Sequence, residues 1–198
     1  MNDSVIRAAL KKKVLNHHLK SSSALVIDEL GLNHGACRVD IAVVNGKLHG
    51  YEIKSDRDTL VRLPEQIRVF NKALDRITLI VGWRHVVSAM RVVPAWWGVS
   101  LVERGPRGGI HFTPLRCAQP NPNPDPLALV ALLWRGEAVL LLQQFDSAIG
   151  IRNRSRSAIY KRLVDAVPDY SSLRSLVCQQ LRMRVDWRPA SQSELCGD

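Results

Sequence analysis

The segment R-V-D-I-A-V-V-N-G-K-L-H-G-Y-E-I-K-S-D, residues 38–56, decides the fold. Two runs of β-branched and apolar residues flank Asn45-Gly46, a pair with a strong preference for tight hairpin turns. The pattern therefore predicts a β-hairpin with strands near 38–44 and 47–55.

Three polar residues, Asp40, Glu52 and Lys54, interrupt these apolar strands. Side chains alternate between the faces of a strand, so Glu52 and Lys54 share one face. Two carboxylates and an ammonium are costly to bury unless they hold something. Carboxylate oxygens suit a hard cation such as Mg²⁺. The alternative is an ion pair between Lys54 and one of the two acids on a solvated face of the sheet.

The length of the hairpin loop decides whether Asp40 joins that face. A two-residue turn would point Asp40 away from Glu52. A three-residue loop over 44–46, with Gly46 in the left-handed region, pairs Val43 with Lys47 and Asp40 with Gly50, diagonally beside Glu52. We expect this loop, with space for a metal or phosphate beside Gly50. The opposite face is then expected to be core, and it carries Val39, Ile41, Val43, Tyr51 and Ile53.

Asp40, eleven intervening residues and then Glu52-Ile53-Lys54 on a hairpin resemble the core motif of the PD-(D/E)XK, or restriction-endonuclease-like, nuclease superfamily. The segment from about Val26 to Trp97 is similar to a small bacterial and phage family within it. Val39 stands where the motif often has Pro, a variation that the superfamily tolerates. The resemblance implies an α/β fold, with a mixed central sheet flanked by helices, and a nuclease that uses Mg²⁺ or Mn²⁺.

The resemblance also implies roles for single residues. Asp40 and Glu52 would bind the metal together with the Ile53 carbonyl, and Lys54 would orient the attacking water or stabilise developing charge. An upstream acid often completes the metal site in the superfamily. Glu29 matches that place, and Asp28 is the competing candidate because neighbours on a strand face opposite ways.

A helix is predicted from about Leu63, with Pro64 in its first turn and Gln66 beside its apolar stripe. Nucleases of the recombination-exonuclease type carry Gln-x-x-x-Tyr on this helix. Gln66 matches the Gln and is assigned to the catalytic site, whereas Phe70 stands at the Tyr position and is assigned to packing. A capped or surface amide is the alternative for Gln66.

The remaining pattern completes an α/β core and adds helices after it. We predict a nuclease-like core over 1–118, a proline-rich linker over 119–126, a helical subdomain over 127–188 and a disordered tail over 189–198. Further core elements are expected as helices over 4–20 and 86–91 and as strands over 24–30, 76–82, 97–102 and 110–115. C-terminal helices are expected over 127–145, 155–167 and 170–184.

Charge points to a polyanionic partner. Lys and Arg number 28 against 18 Asp and Glu, a formal net charge of +10, which favours nucleic acid, with DNA as the expected partner. Incidental solvated faces are the alternative for these basic residues, and a protein interface is a further one for 150–162. The candidate nucleic-acid contacts are Lys11, Lys12, Arg57, Arg152, Arg154, Arg156 and Lys161.

No secretory or membrane signal stands out. The apolar segment 127–145 contains Arg135 and Glu137 near its centre, so a buried helix or helix pair is the better interpretation. Four scattered cysteines form no Cys-x-x-Cys pair, which fits the cytoplasm. Dimers are common in the superfamily, so a homodimer or larger complex is compatible with the resemblance. The alternatives to a nuclease are a non-catalytic nucleic-acid- or protein-binding member of the same fold, in phage, defence or repair biology, and a hydrolase of small phosphorylated molecules.

Overall fold

The computed structural model describes residues 1–151 and 153–184. Arg152 and the predicted tail over 189–198 therefore lie outside the described residues. The strands are β1 (Leu25–Leu32), β2 (Cys37–Val44), β3 (Leu48–Lys54), β4 (Arg76–Gly82), β5 (Gly98–Arg104) and β6 (Ile110–Arg116). The helices are α1 (Asp3–Lys13), α2 (Asn16–Leu19), α3 (Leu63–Ala73), α4 (Val86–Val92), α5 (Pro126–Val130), α6 (Arg135–Gln144), α7 (Arg156–Ala166) and α8 (Tyr170–Met183).

The six strands form one mixed sheet in the order β1-β2-β3-β4-β5-β6. The pairs β1–β2, β2–β3 and β5–β6 are antiparallel. The pairs β3–β4 and β4–β5 are parallel. Helix α3 lies in the connection from β3 to β4. Parallel neighbours need such a crossover connection, because a short turn leads the chain back in the opposite direction and gives an antiparallel pair. The prediction of an α/β fold with a mixed, helix-flanked sheet is confirmed.

Apolar side chains cover both faces of this sheet. On one face, α1 packs Ile6 and Leu10 against the β2 and β3 residues Ile41, Val43 and Ile53. On the other face, α3 and the C-terminal helices share one larger core with the sheet, in which the buried side chains include Leu30, Leu79, Phe70, Leu129, Leu163 and Val177. Helices therefore cover both faces of the sheet at these strands.

Residues 119–126 run against the α/β layer. The Asn121 side chain donates to the carbonyls of Asn71 and Leu74, at 2.7 and 2.8 Å. The backbone N–H of Gln119 donates to the Trp96 carbonyl at 2.8 Å. Buried Asp75 accepts from Arg174 on α8 at 3.2 Å. These bonds hold residues 119–126 and α8 against the α/β layer.

Two predicted helices are interrupted. The single helix expected over 4–20 was wrong, because the chain turns after α1, where the Leu15 N–H bonds to the Leu10 carbonyl and Leu15 stays buried. The segment 127–145, expected as a buried helix or a helix pair, contains two helices, α5 and α6. None of the helices in the described part of the chain combines the length and the apolar character needed to cross a membrane.

Candidate functional site

The β2–β3 hairpin has a three-residue loop, as predicted, but at a different place. Val44 pairs with Leu48, so the loop is 45–47 and not 44–46, and Val43 pairs with His49 rather than Lys47. Gly46 adopts φ 84°, the left-handed conformation that such a loop requires. The shift moves β3 by two residues, and an even shift keeps the side chains of the paired residues 41–44 and 48–51 on their expected faces.

The space beside Gly50 is filled by apolar side chains, so the expected room for a metal or phosphate there was wrong. A Cβ on Gly50 would lie 2.6 Å from Leu74 Cδ1 and 3.1 Å from Val39 Cγ2. Val39 therefore packs on the α3 face, not with Ile41 on the α1 face as predicted. On β1, Glu29 lies between Asp28, which pairs with Ile41, and Leu30, which pairs with Val39. Its φ of 54° breaks the regular strand conformation at this point.

Glu52 is the buried centre of the site. It is 2% exposed, and its Oε1 accepts from Lys54 Nζ at 2.7 Å and from Gln66 Nε2 at 2.5 Å. Burial raises the pKa of Glu52, and the Lys54 ammonium and the Gln66 amide oppose that rise. Glu52 Oε2 and Gln66 Oε1 are buried and have no hydrogen-bond partner among the described residues. Such orphaned oxygens are costly to bury and would be satisfied by a cation or a water.

Asp40 lies on the neighbouring strand at the point where the β2–β3 pairing ends. Its Oδ2 accepts from the Ile53 backbone N–H at 2.6 Å, and its Oδ1 pairs with Arg7 Nη2 at 2.9 Å. Burial, aided by the negative charge of Glu52, raises the pKa of Asp40 to about 7, although the Ile53 and Arg7 contacts oppose the rise. The pKa values of both neighbouring carboxyl groups are raised. A bound positive charge would therefore stabilise their ionised forms.

Arg7 on α1 is a site residue that sequence reasoning missed. Its Nη2 contacts Asp3 at 3.0 Å, Glu29 at 2.6 Å and Asp40 at 2.9 Å, and its Nη1 donates to the Asp40 carbonyl at 2.9 Å. The one sequence signal was its spacing from Lys11. Residues four apart share a helix face, and these two pair with the adjacent acids Glu29 and Asp28.

The structure separates the two candidate upstream acids. Glu29 lines the cleft together with Asp40 and Glu52, whereas Asp28 pairs with Lys11 away from it. The cleft has a volume of about 630 Å³, and its lining brings Asp40, Glu52, Lys54 and Gln66 together with Arg7 and Glu29. Ile53 also lines it, although the contact that the structure shows is made by its backbone N–H.

Those of the predicted nucleic-acid contacts that the structure describes lie outside this cleft. Lys11 is held by Asp28, Lys12 is exposed on the same helix, and Arg57 is exposed on the loop after β3. The side chains of Arg156 and Lys161 on α7, and of Arg154 just before it, are exposed. Among the described residues the basic side chains that line the cleft are Arg7, Arg38, Lys54 and Arg62. Arg38 and Arg62 were missed, because nothing in the sequence pattern separates them from the other basic residues of the chain.

The cleft residues fit a divalent cation. In residues 1–151 and 153–184, no three or more His, Cys, Asp or Glu side chains lie together in a way that could hold a metal ion. Mg²⁺, however, typically takes one or two protein carboxylates and fills its other positions with water and substrate phosphate. Asp40 and the orphaned Oε2 of Glu52 supply that minimal oxygen set.

Comparison with known proteins gives a family and one relative's name. A family model described as Bacteriophage P4 protein cII matches residues 2–193. A relative, Protein cII of Enterobacteria phage P4, is 37% identical over 78 residues, which cover 39% of this chain and 30% of the relative. The matched segment thus spans under a third of that relative. No solved structure matches the chain.

Proposed function

The chain belongs to the family of bacteriophage P4 protein cII, and we propose that it is a metal-dependent nuclease with a restriction-endonuclease-like core that hydrolyses phosphodiester bonds in DNA. The observation that carries this proposal is the meeting of Asp40, Glu52, Lys54 and Gln66 in one cleft. Three of these residues lie on one hairpin, and the fourth comes from the helix that follows it.

Asp40 and Glu52, with Glu29 and the Ile53 carbonyl, would hold Mg²⁺ or Mn²⁺. When bound, the ion supplies Lewis acidity toward the scissile phosphate and promotes ionisation of a water nucleophile. Hard oxygen donors of this kind match either ion.

Lys54 and Gln66 position the reacting groups. One of the three N–H groups of Lys54 donates to Glu52 Oε1, and another can donate to the attacking water or to a phosphate oxygen. Gln66 donates to the same carboxylate oxygen, and its own Oε1 is left to accept from water. Both side chains are held in place by Glu52, so little reorganisation is needed when charge develops.

Charge supports a nucleic acid over a small phosphorylated substrate. A formal net charge of +10 is more than a small molecule requires, whereas a polyanion gains from each neutralised phosphate. Exposed basic side chains at α1 and α7 would contact the phosphate backbone of the nucleic acid.

The test is a substrate panel. Purified protein is incubated with Mg²⁺, Mn²⁺ or chelator and with linear, circular and single-stranded DNA and RNA, beside Glu52→Gln as the matched inactive variant. We expect cleavage of DNA in metal, no cleavage in chelator, and loss of cleavage in Glu52→Gln. Metal-independent binding without cleavage of any substrate would contradict the proposal.

A specific observation favours a second candidate, a non-catalytic nucleic-acid- or protein-binding protein. Arg7 already neutralises part of the charge on Asp40 and Glu29, as a residue would in a site that never takes a metal. Equal affinity for DNA in chelator and in Mg²⁺, with no cleavage, would identify this role.

A further inference from the structure

One guanidinium serves three carboxylates at the mouth of the cleft. Arg7 contacts Asp3, Glu29 and Asp40 at 3.0 Å or less, and its side chain is only 18% exposed. Its fork reaches Asp40 twice, at the backbone carbonyl and at Oδ1. Planar, divided donors of this kind suit several acceptors at once.

These contacts use oxygens that the proposed metal site needs. Asp40 Oδ1 is paired with Arg7, and Oδ2 is bonded to the Ile53 backbone N–H. The Ile53 N–H is part of the backbone of β3 and is held in place by that strand. The Arg7 bond can be released by rotation of one long side chain, so it is the contact that an incoming cation would break.

We infer that Arg7 is an internal counter-ion that occupies Asp40 and Glu29 in the metal-free protein and must leave Asp40 when a divalent cation binds. This inference rests on the metal site of the proposed function. Like charges at close range repel strongly in a partly buried cleft. Arg7 therefore keeps the carboxylates together without metal and lowers their affinity for it.

Lys11 provides the matched comparison. It lies one turn further along α1 and pairs with Asp28, outside the cleft. Neutralising Lys11 removes the same charge from the same helix but leaves the contacts of Asp40 and Glu29 intact. A difference between variants at the two positions therefore reports on the local contact rather than on net charge.

The experiment uses electron paramagnetic resonance, in which the intensity of the signal from unbound Mn²⁺ measures how much Mn²⁺ the protein has bound. The wild type, Arg7→Gln and Lys11→Gln are compared. We expect Arg7→Gln to bind Mn²⁺ at least about tenfold more tightly, because a repelling charge is removed. Lys11→Gln should bind within about twofold of the wild type, since its charge is further away and screened. In chelator, Arg7→Gln should have a lower Tm than the wild type. In a second set of melts, without chelator, added Mn²⁺ should raise the Tm of Arg7→Gln by more than it raises that of the wild type.

Arg7→Lys covers the case in which Arg7→Gln does not fold. It keeps the charge but loses the fork, so it should give a smaller gain in the same direction. Equal or weaker Mn²⁺ binding by the Arg7 variants overturns the inference, as does an equal gain in Lys11→Gln. If those results come with a wild type that binds Mn²⁺ and cleaves DNA, only the inference fails. If the wild type and all variants bind no Mn²⁺, the metal site of the proposed function fails with it.

Discussion

Asp40 gives a pH dependence that can be measured without any substrate. Burial and the charge of Glu52 raise its pKa from 3.8 to about 7 in the folded protein. The folded state therefore holds a proton that the unfolded chain has already released, and stability falls as pH rises from about 4 to about 7. The decrease is on the order of a few kcal/mol across that window.

Asp40→Asn should remove the part of the slope that Asp40 contributes, because the amide does not titrate and can still accept from the Ile53 N–H through its oxygen. The measurement is urea denaturation in chelator at a series of pH values. The wild type should lose stability toward neutral pH relative to the variant. Parallel pH profiles for the two proteins would show that Asp40 titrates normally.

At the scale of elements, the site depends on two neighbouring strand ends. The loop after β3 meets the turn after β4, where Asp56 Oδ1 accepts from the Arg84 N–H at 3.0 Å. Gly82 ends β4 beneath this contact, and a Cβ there would lie 2.8 Å from the Asp56 backbone nitrogen. A backbone atom cannot rotate away, so the two loops would have to separate.

Gly82→Ala should therefore destabilise the protein by about 1 to 3 kcal/mol and slow cleavage, because Lys54 precedes Asp56 by two residues. Gly136→Ala is the control. It lies in α6, where an added Cβ would meet no atom within 4 Å apart from its chain neighbours and the backbone of its own helix, and alanine in a helix gains up to about 1 kcal/mol. Denaturation midpoints measure both effects, and a Gly82→Ala midpoint equal to that of the wild type would show that the loops are not tightly joined.

Elements also show what the sequence could and could not predict. An odd loop length at Asn45-Gly46 was predictable from the need to put Asp40 beside Glu52. Its exact position was not, because Val44 is buried and pairs with Leu25 on β1, while Lys47 is exposed in the loop. That choice depends on tertiary burial, which a local turn preference does not contain.

The place of Arg7 could not be predicted either, since its hydrogen bond to Asp40 spans 33 positions of the chain. A basic residue on an amphipathic helix fits a solvated face equally well. In contrast, Gln66 was predicted because it matches the Gln that the resemblance places on this helix. Its position beside the apolar stripe of α3 also aims it at the sheet, where it donates to Glu52.

On the scale of the whole molecule, net charge predicts a steep salt dependence of DNA binding. Removing one basic side chain that binds a phosphate should reduce the steepness of log affinity against log salt by about 0.9. Replacing Arg154, Arg156 and Lys161 together by Gln should reduce it by up to about 3 if α7 binds the DNA backbone. The control replaces Lys20, Lys47 and Lys72, which are also exposed. The last two lie toward the hairpin-loop end of the sheet, away from the cleft.

Fluorescence anisotropy with labelled DNA at several salt concentrations gives both slopes. We expect the α7 variant to show a smaller slope than the wild type and the control variant to match the wild type. Equal slopes in all three proteins would place the DNA away from the C-terminal helices.

The rate of metal-dependent DNA cleavage by the wild type and by Lys54→Met tests the central claim most directly. Methionine keeps the stem and deletes the charge, so the rate should fall by about 10² to 10³, with Mn²⁺ binding retained. Lys47→Met, on the loop of the same hairpin, should cleave like the wild type. A wild type that cleaves no nucleic acid in Mg²⁺ or Mn²⁺, or a Lys54→Met variant that cleaves as fast as the wild type, would contradict the account.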